Sequence, residues 1–129
     1  MNVERTDIEK EIMIKAKEWA DDYGEDFLVE LIDVYLDEAP ARMAQLQSAV
    51  DGHDAETLSR EAHTLKSSSA NVGATTLSAI AQQVELAGRT GKTENLAEVV
   101  RHMAATFAQV KTALEALRHA PGKFIGEER

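Results

Sequence analysis

Four histidines, His53, His63, His102 and His119, are the candidate nucleophiles of a chain that has no cysteine. His63 stands in distinctive company, within Arg60-Glu61-Ala62-His63-Thr64-Leu65-Lys66-Ser67-Ser68-Ser69-Ala70. On a helix its same-face neighbours are Ser59 and Arg60 behind and Lys66 and Ser67 ahead. Leu58, Ala62 and Leu65 form a separate apolar stripe, so the imidazole is expected at the surface. An ordinary imidazole is largely neutral at pH 7, which leaves one ring nitrogen free to attack an electrophile. Lys66 would stabilise a phosphoryl group once it had arrived. The small residues from Ser67 to Ala70 replace the long side chains usual on a helix surface, and serine is a mediocre helix former, so the run favours access. Such a histidine can accept and release a phosphoryl group but has nothing with which to make one. Residue types alone leave a second reading open, a solvated helix face where serine and lysine fall by chance.

Other chemistries find less support. His53 reads as a turn residue, His119 as a cation in the last turn of a helix, and His102 as a surface residue beside Arg101. No Gly-rich phosphate loop is present, and no His-Glu-x-x-His zinc motif. A di-iron bundle needs Glu-x-x-His pairs, and no glutamate stands three residues before any histidine. In the dimerisation hairpin of a histidine kinase the histidine is typically followed by an acid and a proline. Here Thr64, Leu65 and Lys66 follow. With 14 Lys+Arg against 23 Asp+Glu the formal charge is −9, which opposes binding to nucleic acid or to an anionic membrane. The absence of cysteine excludes disulfides and Cys-based zinc sites. The first eleven residues, MNVERTDIEKE, have no apolar signal region and no apolar run approaches a membrane span. A cytoplasmic domain is expected.

The elements that position His63 read as helices. Alanine and leucine abound, aromatics are only 5 %, and two prolines leave long uninterrupted stretches, so the chain is expected to be all-α. Thr6 and Glu9 have capping-box spacing for a first helix through Ile12, Ala16 and Trp19, ending near 21–24. A second runs from about Gly24 with Leu28, Leu31/Ile32, Tyr35, Ala39, Met43, Leu46 and Val50. Proline lacks an amide hydrogen, so a kink or break is expected near 38–40. Asp54 caps a third helix carrying Leu58, Ala62, Leu65 and Ser69, stopped by 71–73. Leu77, Ile80/Ala81, Val84 and Ala87/Gly88 mark a fourth that ends at Gly91. A fifth starts near Thr93 and continues to Leu117. Short links favour antiparallel neighbours, giving an up-and-down antiparallel four-helix bundle with an additional N-terminal helix. One domain over residues 1–120 and a flexible tail over 121–129 are expected.

The run Glu61-Ala-His63-Thr-Leu65-Lys66-Ser-Ser-Ser-Ala-Asn-Val-Gly73-Ala74 resembles the signature of histidine-containing phosphotransfer (Hpt) domains, roughly A-H-x-L-K-[G/S]-[S/A]-[S/A]-x-x-[L/V]-G-A. The likeness extends upstream through Phe27-Leu28, Leu31-Ile32, Tyr35-Leu36, Ala39-Pro40 and Leu46, and downstream through Leu77, Val84-Glu85, Gly88-Arg89 and Gly91. It covers about residues 24–117. The resemblance implies that His63 carries the phosphoryl group and that Lys66 lies near its oxygens. Ser67 would be the small residue that gives a partner access, where the family often has glycine. Glu85 falls where relatives carry Gln or Glu able to orient the imidazole, and Gly73 matches a turn glycine.

The expected function is therefore a phosphorelay intermediate in two-component signalling, which takes a phosphoryl group from a receiver-domain aspartate and passes it to another. The implied partners are response-regulator receivers and a hybrid sensor histidine kinase, with the protein itself a monomer. No cofactor of its own is expected, because Mg²⁺ would sit in the receiver's acidic cluster. Neither autonomous kinase nor phosphatase activity is expected. The alternative is a non-catalytic helical adaptor that binds receiver or kinase domains without being phosphorylated. Phe27 and Val34 on the second helix, and Ile12 and Met13 on the first, are candidates for an apolar docking patch or for simple core. Arg60 and Lys66 read as an island of positive charge on an acidic domain.

Overall fold

A hydroxyl and a carboxylate three residues apart start the first helix. Thr6 Oγ1 accepts from the Glu9 amide at 3.1 Å and Glu9 Oε1 accepts from the Thr6 amide at 3.1 Å, so both orphan donors are satisfied. The computed structural model describes residues 5–122, and in them the chain forms α1 (Asp7–Tyr23), α2 (Glu25–Asp51), α3 (Ala55–Asn71), α4 (Thr75–Thr90) and α5 (Leu96–His119), with no strand. Only Gly24, at φ 94°, separates α1 from α2. Such a positive φ suits glycine, which lacks a Cβ to clash. Asp54 Oδ1 caps α3 through the Thr57 amide at 3.1 Å, and Gly91 closes α4 in the left-handed conformation. The expected flexible tail over 121–129 lies outside the described residues except for Pro121 and Gly122.

Helices α2, α3, α4 and α5 pack in a ring, each touching the next and α5 touching α2. The short connections make successive members antiparallel, and α1 lies mainly against α2 and α5. Fully buried Ile32, Leu46, Leu58, Leu65, Leu77, Val84, Met103 and Val110 fill the interior. They recur at helical spacing on each element, so each helix turns one stripe inward.

Two expectations are corrected. Of the kink or break anticipated near residues 38–40, the break does not occur, since α2 runs through Pro40 as one helix. An interior proline costs about 3 kcal/mol. Tyr35, Ala39, Met43 and Leu46 are buried on both sides of it, and each large apolar side chain contributes about 1.5–3 kcal/mol. Packing therefore outweighs the lost hydrogen bond. Helix α5 begins at Leu96 rather than near Thr93, because Asn95 takes φ 68°. Asparagine tolerates that left-handed geometry and so ends the turn.

The candidate patch residues divide. Ile12 and Met13 are buried core, whereas Val34 is 55 % exposed and Phe27 36 % exposed. Among the described residues no helix is long and apolar enough to cross a membrane.

Candidate functional site

His63 projects from α3 with 62 % of its side chain exposed, off the stripe of Leu58, Ala62 and Leu65 that enters the core. Its Nδ1 lies 2.8 Å from Oε2 of Glu85 on α4. Lys66 Nζ donates to the other oxygen, Oε1, at 2.6 Å. One buried carboxylate thus holds both residues. Foremost the Lys66 hydrogen bond, then that of His63, keeps the Glu85 carboxyl below the usual range, against the opposing effect of burial. Glu85 is therefore an acceptor at neutral pH, and His63 must donate its Nδ1–H. With Nδ1 the donor to Glu85, the ring's lone pair is carried by Nε2, the nitrogen that Glu85 leaves unengaged.

Close approach of α3 and α4 makes this possible. A Cβ at Gly88 would lie 2.7 Å from the Ser59 amide nitrogen and 2.8 Å from the Ala55 carbonyl oxygen. Glycine lets the two backbones meet one turn beyond Glu85, so the short Glu85 side chain spans the gap to α3. Ser78 Oγ donates to the Lys66 carbonyl at 2.8 Å and adds a second α3–α4 link.

The turn between these helices is held from outside. Neither Ala74 at the start of α4 nor Val72 at the end of α3 offers a polar side chain as a cap. Helix α1 supplies both functions: Trp19 Nε1 donates to the Asn71 carbonyl at 2.7 Å, and Glu11 accepts from the Thr76 amide and hydroxyl. Gly73, at φ 84°, seats against α1, where a Cβ would meet that of Lys15 at 2.6 Å.

Across α3, Glu61 is buried and pairs with Arg42 of α2 at 2.9 Å, with Arg60 Nε at 3.7 Å from its other oxygen. Tyr35 OH and Ser69 Oγ meet at 2.9 Å inside the same α2–α3 interface, and burial pushes the Tyr35 hydroxyl up to about 12. These bonds fix which face of α3 turns outward.

The four candidates from sequence fall as follows. His63, Lys66 and Glu85 are brought together, and Ser67 is exposed one turn beyond His63. Lys66 and Arg60 are not a free cationic island, because both contact carboxylates. The local excess of positive charge survives all the same, with Arg42, Arg60, Lys66 and Arg89 set around Glu61 and Glu85. The resemblance included Arg89 but assigned it no role, and its Nη1 is 3.9 Å from Glu85 Oε2. Its i+4 spacing from Glu85 was the available signal. Arg42 had none, since its partner is 19 residues away. Among the described residues no cluster of His, Cys, Asp or Glu is arranged to hold a metal ion.

A family model of the Hpt domain matches residues 30–120. The chain belongs to the Hpt family. Hpt domains work with receiver domains and kinases in phosphorelays, so this domain has a phosphotransfer role in two-component signalling. The crystal structure of histidine-containing phosphotransfer protein B (HptB) from Pseudomonas aeruginosa PAO1 superimposes with a TM-score of 0.76 at 24 % identity, over 82 % of this chain and 91 % of that one. The likeness extends the agreement in fold to most of this Hpt domain. No protein of curated function matches the chain significantly.

The bridging carboxylate gives a pH prediction. Glu85 has a depressed folded value, so its contribution is fully present above the ordinary carboxyl value of about 4.3 and is lost as pH falls through the lower folded value. Glu85→Gln should destabilise this Hpt domain by about 1 kcal/mol at pH 7, a charged hydrogen bond discounted for its partly exposed partners. In urea unfolding, the gap between wild type and variant should stay constant down to about pH 5 and close below about pH 4. A gap that persists unchanged at pH 3 would show that Glu85 charge is not its source.

Proposed function

We propose that His63 Nε2 is the atom that takes the phosphoryl group. The observation that carries this reading is the pairing of an exposed imidazole with a buried carboxylate at Nδ1. Glu85 sets the tautomer and the ring orientation, so the nucleophilic lone pair faces outward without further rearrangement. In the reaction, the Nε2 lone pair attacks the phosphorus of a receiver's aspartyl phosphate in line. The N–P bond forms as the P–O bond to the aspartate breaks, and the aspartate leaves as a carboxylate. His63 keeps its Nδ1 proton, and the positive charge that develops on the ring faces Glu85. Transfer to a second receiver reverses these bond changes. Mg²⁺ is bound by the receiver in this scheme and contributes charge stabilisation there.

Lys66 and Arg89 both border Glu85, and each is placed to offset charge on the arriving group. Ser67 keeps the approach clear. In this reading the protein acts as a cytoplasmic monomer between receivers, apart from nucleic acid and membrane, to which its −9 charge is unsuited.

The test is incubation with a panel of phosphorylated receiver domains. The expected product is a labelled chain whose phosphoryl group is lost in acid and retained in base, as a phosphoramidate behaves. Acid-stable label, or none from any receiver, would overturn the proposal. Lys66→Ala should slow transfer or shorten the adduct's lifetime roughly tenfold, the share of a screened charged hydrogen bond. Its far-UV helical signal should be unchanged, and a loss of helix would instead make Lys66 structural.

A further inference from the structure

Helix α1 lies outside the residues 30–120 that match the Hpt family. Besides packing on α2 and α5, it reaches the turn from α3 to α4. Val72, Gly73 and Ala74 of that turn are buried, and buried backbone groups need partners. The turn meets part of the need itself, with the Gly73 amide on the Ala70 carbonyl at 3.0 Å and the Ala74 amide on the Ser69 carbonyl at 2.8 Å. The rest comes from α1. Trp19 Nε1 donates to the Asn71 carbonyl at the end of α3, and Glu11 accepts from the Thr76 amide at 3.3 Å in the first turn of α4. Each bond does the work of a helix cap, supplied by a third helix instead of the adjoining chain. The Glu11 carboxylate also meets the positive end of the α4 dipole. Backbone contact reinforces both bonds, since a Cβ at Gly73 would lie 3.1 Å from the Glu11 carbonyl oxygen and 3.1 Å from the Ile12 Cα.

The capped turn and the proposed acceptor share the same two helices. His63 stands eight residues before Asn71 on α3, and Glu85 nine residues after Thr76 on α4. Along the helix axes these separations are roughly 12 and 13 Å. On the other side of the pair, one turn beyond Glu85, Gly88 packs on the backbone of Ser59. The bond from His63 to Glu85 therefore lies between two anchored places. A helix anchored at one place can pivot about it, whereas one anchored at two cannot. A shift of about 1 Å between α3 and α4 would break the 2.8 Å bond and misplace the nucleophile.

Building on the reading that His63 is the acceptor, we propose that Glu11 and Trp19 are positioning residues for phosphoryl transfer. By capping α4 and α3 from α1, they hold Glu85 against Nδ1 of His63 and so keep the attacking lone pair on Nε2. Neither residue touches the reacting atoms. Helix α1 thereby belongs to the working site as well as to the core.

The direct readout is the tautomer of His63 in the unphosphorylated protein, followed by nitrogen NMR at a pH where the ring is neutral. Imidazole free in water favours the Nε2–H form, whereas donation to Glu85 selects Nδ1–H. Wild type should show mainly Nδ1–H. Glu11→Ala removes one cap, and Trp19→Phe removes the other while keeping a ring against Tyr23 and Phe27. Each should raise the Nε2–H fraction and slow single-turnover transfer from the fastest receiver of the panel about fivefold, the factor carried by one lost cap. Glu11→Gln keeps an acceptor oxygen for the Thr76 amide and should bring both readings within about twofold of wild type. Lys17→Ala removes an ion pair internal to α1, with Asp21 at 2.9 Å, and should change neither. Far-UV circular dichroism and the thermal midpoint verify that each variant is folded at the temperature of measurement. A lower Tm with unchanged tautomer and rate would overturn the inference, because α1 would then serve stability alone. Wild type found mainly as Nε2–H, or Lys17→Ala matching Glu11→Ala, would overturn it too. A tautomer that follows the caps in a protein that no receiver labels would uphold their hold on the imidazole and remove the acceptor reading instead.

Discussion

Replacing His63 by glutamine is expected to reduce phosphoryl incorporation from receivers to background while the bundle stays folded. The size of the effect follows from what remains. The glutamine amide is close to imidazole in reach and can still donate to Glu85, so the α3–α4 link has a substitute. Its nitrogen lone pair is delocalised into the carbonyl and does not attack phosphorus. The other three histidines offer no replacement: His53 sits at φ 50° in the α2–α3 turn, His102 and His119 lie on α5, and none has a hydrogen bond or ion pair to a side chain among the described residues. Among the described residues no second imidazole is oriented by a carboxylate with cations beside it. Radiolabel transfer from the most active receiver, read with and without acid treatment, checks the expectation. Label that survives His63→Gln would move the acceptor elsewhere. Receiver binding without label on wild type would favour the adaptor reading.

The second large effect concerns Gly88. Glycine inside a helix normally costs about 1 kcal/mol against alanine, so Gly88→Ala would stabilise an open site by about that amount. This site is closed. The new Cβ would lie 2.7 Å from the Ser59 nitrogen, 2.8 Å from the Ala55 oxygen and 3.0 Å from the Ser59 Cα, all backbone atoms that no rotamer can move. The helices must separate, which costs 1–3 kcal/mol in a well-packed interface and locally loosens the most extensive helix contact in the fold. We expect the steric cost to win, with a net loss of about 1 kcal/mol and a fall in Tm of roughly 3–6 °C. Because Glu85 is three residues earlier on the same helix, its reach to His63 lengthens too, and transfer should slow along with the loss of stability. Thermal unfolding and transfer rates on the same preparation test both parts. A rise in Tm of a few degrees would mean that helix propensity dominates and that the α3–α4 contact yields easily.

Much of the molecule is readable from spacing within one turn of helix. Thr6 with Glu9, Asp54 before Ala55, and Gly91 mark helix ends because a cap is formed between residues at most three or four apart. The apolar stripes locate the five helices for the same reason. Asn95 was harder to place, since whether it continues a helix or takes a left-handed turn depends on how α5 docks.

His63, Lys66 and Ser67 belong to the legible part, as neighbours at i, i+3 and i+4 on one exposed face whose chemistry suits phosphoryl exchange. What the tertiary structure alone decides is every relation across helices. Glu85, which the resemblance placed as able to orient the imidazole, holds His63 as well as Lys66, from 22 and 19 residues away, Arg42 is drawn to Glu61, and Val34 is exposed where Met13 is buried. Proline 40 is tolerated because flanking side chains find partners in the core. These outcomes depend on the separation and rotation of packed helices, set by contacts such as Gly88 against Ser59, and no pattern confined to one helix encodes them.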